Sequence, residues 1–197
     1  MGKLILTSNG FNKSDNTSDK IIEQYATNQN ILFVDNATLT GSNIKNIKII
    51  ISNFKQIAKS VNQFTITKEN YKNIFAYDVL YFTGGDLSPL IEIAKNNAIK
   101  EALLLFLKSN KTIIGESAGS IIFGDDLKYY YDIKRGTKPK YDIDLKNYKG
   151  FNFVNINIFP HWNKVSEELK NKVFHYEKEK NIEIKKLEDE DFVVVNI

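Results

Sequence analysis

The sequence lacks cysteine altogether and contains only two histidines, His161 and His175, among its 197 residues. Without cysteine the chain can form no disulfide, no thiolate metal site and no cysteine nucleophile. Two histidines are too few for a multi-histidine metal site. We therefore expect neither a bound metal nor a cofactor.

Neither sign of charge dominates, and long apolar runs are absent as well. The chain has 27 Lys and Arg against 24 Asp and Glu, a net charge of +3, with both signs spread along it. A nucleic-acid binder usually carries a basic stripe or tail, so we expect no nucleic-acid partner. The apolar run at residues 4–6 is far too short for a signal peptide or a membrane span, so we expect a cytoplasmic protein without membrane contact.

The length and the hydrophobic pattern predict one α/β domain over residues 1–197. Strands are predicted at Lys3–Thr7, Ile31–Val34, Phe64–Thr67, Val79–Thr83, Lys111–Gly115 and Val154–Phe159. Helices are predicted from the capping residues Asn16–Asp19 to about Thr27, over Ile44–Val61, from Pro89 to about Lys108, over Ala118–Phe123 and over Lys164–Lys180. The segments Ile182–Leu187 and Phe192–Ile197 are predicted to form a closing hairpin. Residues 125–150 are interpreted as a surface excursion. Strands joined by helical crossovers imply a mostly parallel sheet with helices on both faces. In such sheets, binding and catalytic residues lie at the carboxyl ends of the strands.

The segment Gly115–Gly119 (GESAG) fits the G-x-S-x-G pattern of a nucleophile elbow, between a β-branched strand and a helical run. In an elbow the sharp turn lifts the serine hydroxyl above the sheet edge, and the flanking glycines allow a strained backbone. The N–H of Ala118, at the start of the helix, can face a developing oxyanion. A Gly-Ser turn that merely begins a helix is the alternative. The strand–turn–helix context favours the elbow, with Ser117 as nucleophile.

A serine hydroxyl is a weak nucleophile and needs an adjacent base, for which the sequence offers two histidines. His161 directly follows a predicted strand, so it also lies at a carboxyl edge of the sheet. His175 lies well off the apolar stripe of its helix, which is typical of a solvated surface residue. By elimination, His161 is the favoured base.

A second small-residue turn, Gly84-Gly85-Asp86, follows the strand at Val79–Thr83. Backbone N–H groups in such a turn can approach a ligand closely, which suits an oxyanion hole or a carboxylate pocket. The alternative is a plain βα turn in which Asp86 caps the next helix. Both interpretations stay open, and we include Gly84 and Asp86 among the candidate substrate-binding residues.

These motifs, in this order, resemble the aspartyl dipeptidase/cyanophycinase family of serine peptidases. The family pattern has a strand ending in LTSxGF, a Gly-Gly-Asn or Gly-Gly-Asp turn, a G-x-S-A-G elbow and a later Pro-His. This sequence has LTSNGF at Leu6–Phe11, the turn Gly84–Asp86, the elbow Gly115–Gly119 and Pro160-His161. Its closing LEDEDFVVV looks like the family's final hairpin, so the resemblance covers essentially the whole chain.

The resemblance implies a three-layer α/β/α sandwich similar to class I glutamine amidotransferases, with serine in place of the cysteine nucleophile. It implies that Ser117 is the nucleophile and His161 the base. It also implies that the backbones of Gly85 and Ala118 donate to the oxyanion.

Two positions in the sequence could supply the acidic residue of the implied Ser-His-acid triad. Asp132 stands 15 residues after Ser117, at the position of the acid in some descriptions of aspartyl dipeptidases. Asp189, or its neighbour Glu188, stands on the final hairpin, where the family's alternative glutamate lies. A carboxylate at either place could orient an imidazole. We favour Asp132 slightly.

The resemblance implies a serine peptidase that hydrolyses dipeptides or short peptides. A preference for N-terminal aspartate would need cations, and these crowd one loop: Lys128, Lys134, Arg135 and Lys138. Arg135 is the best candidate for bidentate carboxylate binding, although a solvated charged loop fits equally well. The alternative function is a catalytically idle binding or regulatory protein on the same fold. Formation of a homodimer is left open.

Overall fold

The computed structural model describes residues 1–41, 43–134 and 148–197. Strands are β1 (Lys3–Thr7), β2 (Asn30–Val34), β3 (Ser60–Phe64), β4 (Val79–Phe82), β5 (Thr112–Glu116), β6 (Asn157–Phe159), β7 (Ile184–Lys186) and β8 (Phe192–Asn196). Helices are α1 (Thr17–Ala26), α2 (Ile44–Phe54), α3 (Ser88–Ala94), α4 (Asn97–Lys108), α5 (Ala118–Ile121), α6 (Lys128–Ile133) and α7 (Glu167–Lys180). No helix in these described ranges is long and apolar enough to cross a membrane.

The main sheet has six strands in the order β3-β2-β4-β5-β1-β8, and only β8 runs antiparallel to its neighbour. Strand β5 lies between β1 and β4, with Glu116 opposite Thr7 and Gly115 opposite Phe82. Because these three strands are parallel, the turns that follow them meet at one edge of the sheet. The LTSNGF segment, the Gly84–Asp86 turn and the elbow therefore lie together at that edge.

Helices cover both faces of the sheet, which confirms the predicted α/β architecture. On β5 the side chains alternate, so Ile114 joins the cluster that holds Phe33 and Phe54, whereas Ile113 joins the cluster that holds Phe82 and Phe106. All six side chains are fully buried. Strands buried on both faces need nearly continuous apolar sequence, as the runs in β2 and β4 show.

The predicted C-terminal hairpin is wrong in its pairing. Strand β7 pairs in parallel with β6 in a separate two-stranded sheet, whereas β8 pairs with the outer edge of β1, with Val195 opposite Leu4 and Val193 opposite Leu6. Two apolar runs joined by a short polar turn resemble a hairpin locally. Here the edge of β1 offers β8 an apolar partner that is remote in sequence.

Two helix predictions also need correction. The helix predicted for Ile44–Val61 ends at Phe54, and the strand that follows is Ser60–Phe64 rather than Phe64–Thr67, because those residues pair in parallel with β2. The helix predicted from Pro89 to Lys108 is two helices. Its break is at Asn96, whose side chain accepts hydrogen bonds from the N–H groups of Ala98 and Ile99 and so caps α4.

Candidate active site

Ser117 lies in the turn between β5 and α5 with φ 50° and ψ −110°, a backbone conformation that L-residues rarely adopt. Its N–H donates to the carbonyl of Thr7 at 3.0 Å. The flanking glycines are required by close packing: a Cβ at Gly115 would lie 2.2 Å from the carbonyl oxygen of Gly119, and one at Gly119 would lie 2.2 Å from that of Phe82. The turn therefore has the strained geometry that the G-x-S-x-G pattern predicts.

His161 and Asp189 come together because β6 and β7 are parallel neighbours with Phe159 opposite Lys186. The turns after the two strands leave the small sheet at the same end, one carrying His161 and the other Asp189. His161 has φ 60°, and its N–H donates to Ser8 Oγ at 2.7 Å, which ties this turn to the LTSNGF segment.

The imidazole of His161 bridges the serine and the aspartate. Its Nε2 lies 3.1 Å from Ser117 Oγ, and its Nδ1 lies 2.7 Å from Asp189 Oδ1. Both distances allow hydrogen bonds, and the imidazole is partly accessible to solvent at 37%. This order of contacts is the one a general base needs to take the proton of a serine hydroxyl.

Asp189 is buried, yet its surroundings favour the charged form. Burial opposes ionisation, but hydrogen bonds from Lys164 and His161 outweigh it and lower the pKa of the Asp189 carboxyl. Lys164 Nζ binds Oδ2, the oxygen that His161 does not use. A charged carboxylate at this position holds a proton on Nδ1 and leaves Nε2 free to accept one.

The structure does not place Asp132, the acid slightly favoured from the sequence, beside His161. Asp132 lies on α6, where Lys128 one turn earlier binds its carboxylate and the hydroxyl of Tyr176 donates to Oδ2 at 3.0 Å. Asp189 and Ser117 already engage the two ring nitrogens of His161. The spacing of 15 residues between Ser117 and Asp132 could not predict that α6 packs Asp132 against Tyr176 of α7.

The residues predicted to bind the oxyanion lie next to the serine. Gly85 has φ 143° and is exposed, and a Cβ there would lie 2.4 Å from the carbonyl oxygen of Ala37. Ala118 is the first residue of α5. Within the described residues neither the Gly85 N–H nor the Ala118 N–H makes a hydrogen bond. Both donors therefore remain unused by the described part of the chain, as oxyanion donors must be before a ligand binds.

The other predicted residues have different placements. Asp86 Oδ1 accepts a hydrogen bond from Ser88 N–H at 2.9 Å, although the N-cap of α3 is Leu87. Glu188 is exposed on the turn that carries Asp189. Lys134 donates to the Tyr130 hydroxyl at 2.8 Å. The remaining cations, Arg135 and Lys138, lie outside the described residues.

Three polar residues of the site were not predicted: Ser8, Lys164 and Glu116. Ser8 is part of the LTSNGF segment, and its contact with the turn of His161 could be inferred only from the fold. A signal did exist for Glu116, since a carboxyl at the end of an otherwise apolar strand needs a polar partner. Within the described ranges, no cluster of three or more histidines or carboxylates could hold a metal ion.

The fold and this site define an α/β protein with the Ser–His–Asp arrangement that serine hydrolases use. Residues 4–196 match the sequence profile of peptidase family S51, and the chain belongs to this family. An uncharacterized peptidase of Listeria monocytogenes is 31% identical over 86 residues, which are 44% of this chain and 40% of that protein. An uncharacterized peptidase of Listeria innocua is 32% identical over 88 residues, which are 45% of this chain and 41% of that protein. The chain thus matches about two fifths of the length of these relatives.

Solved structures show the same fold along the whole chain. The 1.5 Å crystal structure of a candidate peptidase E protein from Listeria monocytogenes EGD-e superposes with a TM-score of 0.76 at 18% identity, covering 100% of this chain and 99% of that one. A peptidase from an acI-B1 Actinobacterium gives a TM-score of 0.70 at 12% identity, covering 100% and 84%. At these identities the likeness concerns the fold alone.

Proposed function

We propose that this protein is a cytoplasmic serine peptidase that hydrolyses dipeptides or short peptides through Ser117, His161 and Asp189. The observation that carries the proposal is the continuous contact from Ser117 Oγ through both nitrogens of His161 to Asp189. Membership of peptidase family S51 supports peptides as the substrate class. Short substrates are proposed from the resemblance of the ordered motifs to the aspartyl dipeptidase/cyanophycinase family.

In this mechanism Ser117 Oγ attacks the scissile carbonyl carbon while His161 Nε2 takes the hydroxyl proton. Asp189 holds the opposite ring nitrogen and stabilises the imidazolium that forms. The N–H groups of Gly85 and Ala118 donate to the oxyanion of the tetrahedral intermediate. His161 then gives the proton to the leaving amine, and water releases the acyl group by the same sequence of proton transfers.

The experiment is hydrolysis of a dipeptide panel, with Asp-Xaa members, by the wild type and Ser117→Ala side by side. We expect hydrolysis by the wild type alone, and labelling by a fluorophosphonate only when Ser117 is present. Cleavage retained in a folded Ser117→Ala variant would overturn the assignment of the nucleophile. A wild type that cleaves nothing and resists the probe would instead indicate an idle binding protein on this fold. The Asp-Xaa members test the preference for N-terminal aspartate.

A further inference from the structure

Glu116 is a buried carboxyl that the proposed chemistry does not use, although it immediately precedes Ser117. It is 4% exposed, and the hydroxyl of Tyr81 donates to its Oε2 at 2.9 Å. Burial raises the pKa of the Glu116 carboxyl, although the Tyr81 hydroxyl, the Gly84 N–H and the side-chain amide of Asn43, which all face it, act in the opposite direction. Three donors thus converge on one acceptor at the end of β5.

The turns after β1 and β4 close tightly around this carboxyl. A Cβ at Gly10 would lie 2.9 Å from Glu116 Cδ, and a Cβ at Gly84 would lie 3.0 Å from Glu116 Oε1 and 3.2 Å from Ser117 Cβ. Neither turn therefore has room for a side chain beside Glu116. The carboxyl fills the space between the LTSNGF segment, the Gly84–Asp86 turn and the elbow.

One peptide unit links this packing to the proposed oxyanion hole. The carbonyl of Gly84 and the N–H of Gly85 belong to the same trans peptide, so they point in opposite directions. Asn43 Nδ2 donates to the Gly84 oxygen at 3.3 Å, and the same side chain faces Glu116. Whatever fixes Asn43 and the Gly84 oxygen therefore also fixes the direction of the Gly85 N–H.

We propose that Glu116 is a positioning residue that holds Asn43 and the Gly84–Gly85 peptide, so that the Gly85 N–H points at the oxyanion. This inference rests on the proposed function. The carboxyl group suits the role because its oxygens accept from all three converging donors. A glutamine has the same shape but turns an NH₂ group toward one of those donors.

The test compares Glu116→Gln, Asn43→Ala and the double variant with Ile114→Val as the matched control. Ile114 lies on the same face of β5, and its truncation lowers the melting temperature without altering a polar contact. Two rates are measured: kcat for the dipeptide that the wild type cleaves best, and labelling of Ser117 by a fluorophosphonate, whose phosphonyl oxygen takes the oxyanion position. A third readout is the amide NMR resonance of Gly85.

Loss of a whole oxyanion donor lowers kcat by roughly 100-fold to 1000-fold, so a misdirected donor should lower it by about 10-fold to 100-fold, with little change in KM. Labelling should slow similarly in both single variants. Because Glu116 and Asn43 act through one peptide, the double variant should lose no more than the worse single variant. The Gly85 resonance should move in both variants and stay in place in Ile114→Val.

An unmoved Gly85 resonance in both variants would overturn the inference, whatever the activity. So would unchanged kcat and labelling in both. If Glu116→Gln fails to fold, Asn43→Ala decides alone, since Asn43 is only half-buried at the start of α2. The proposed function is judged separately by Ser117→Ala, so either idea can fail without the other.

Discussion

Lys164 binds Oδ2 of Asp189, while His161 takes Oδ1 of the same carboxylate. The lysine lies in the short helical turn Trp162–Lys164 that directly follows His161, so one turn supplies both partners of the aspartate. The lysine side chain is 65% exposed and that of Asp189 only 12%. A solvated cation therefore holds a buried carboxylate in its charged state, which in turn orients the imidazole.

Replacing Lys164 by Met should affect activity only modestly. Exposed ion pairs contribute about 0–1 kcal/mol, which corresponds to at most about a fivefold change in rate. Loss of the positive charge removes one cause of the lowered pKa of Asp189 and favours protonation of that carboxyl, so the acid limb of kcat/KM should move to higher pH. A pH–rate profile of Lys164→Met and of Lys164→Arg, which keeps the charge, checks this. An acid limb that moves equally in both variants would contradict the electrostatic explanation.

Asp189→Asn should lower kcat by about 10³-fold to 10⁴-fold, because an amide does not hold the required tautomer of His161 or stabilise the imidazolium. Asp132→Asn is the matched control and should change kcat by less than about twofold, since Asp132 binds Lys128 and Tyr176 instead. Kinetics on the same dipeptide compare the two. Equal losses in both variants would show that Asp189 is not the acid of the triad.

The lowered pKa of Asp189 predicts how stability depends on pH. A carboxyl with a lower pKa in the folded state stabilises that state above its unfolded pKa of about 4, and this contribution is lost as pH falls through the folded value. The melting temperature of the wild type should therefore exceed that of Asp189→Asn at pH 7, and the difference should shrink below pH of about 4. A constant difference from pH 7 to pH 3 would show that ionisation of Asp189 does not contribute.

Gly119→Ala should destabilise the fold by more than about 3 kcal/mol, because the added methyl meets the backbone oxygen of Phe82, which cannot move without disturbing β4. Gly41→Ala is the control for backbone strain alone. Gly41 has φ 79°, and a Cβ there meets nothing within 4 Å, so its substitution should reduce stability by only about 1–2 kcal/mol. Urea unfolding of both variants measures the difference, and equal losses would contradict the close-packing explanation.

The fold class and the elbow could be predicted from the sequence because both are local. The alternation of strands with helices predicts the parallel sheet, and the glycines around Ser117 predict the strained turn between β5 and α5. Pairing could not be predicted in the same way, because the partner of Phe192–Asn196 lies at the opposite end of the chain.

The acid of the candidate site depended on that unpredictable pairing. The sequence left Asp132 and Asp189 as alternatives, because the parallel pairing of Ile184–Lys186 with β6, which brings the turn of Asp189 beside that of His161, is not visible in it. Glu116 was missed for a related reason. Its importance comes from Asn43 and Gly84, which reach it from the turns of other strands.

The pairing of β8 with β1 also has a consequence during protein synthesis. Ser117 leaves the ribosome well before Asp189, so a growing chain already carries its elbow serine while the partner of His161 is still missing. The serine hydroxyl of such a chain stays a weak nucleophile. In the proposed mechanism, Ser117 gains its activated base only after β7 and β8, which flank Asp189, have joined the fold, so hydrolysis would begin only in the assembled molecule.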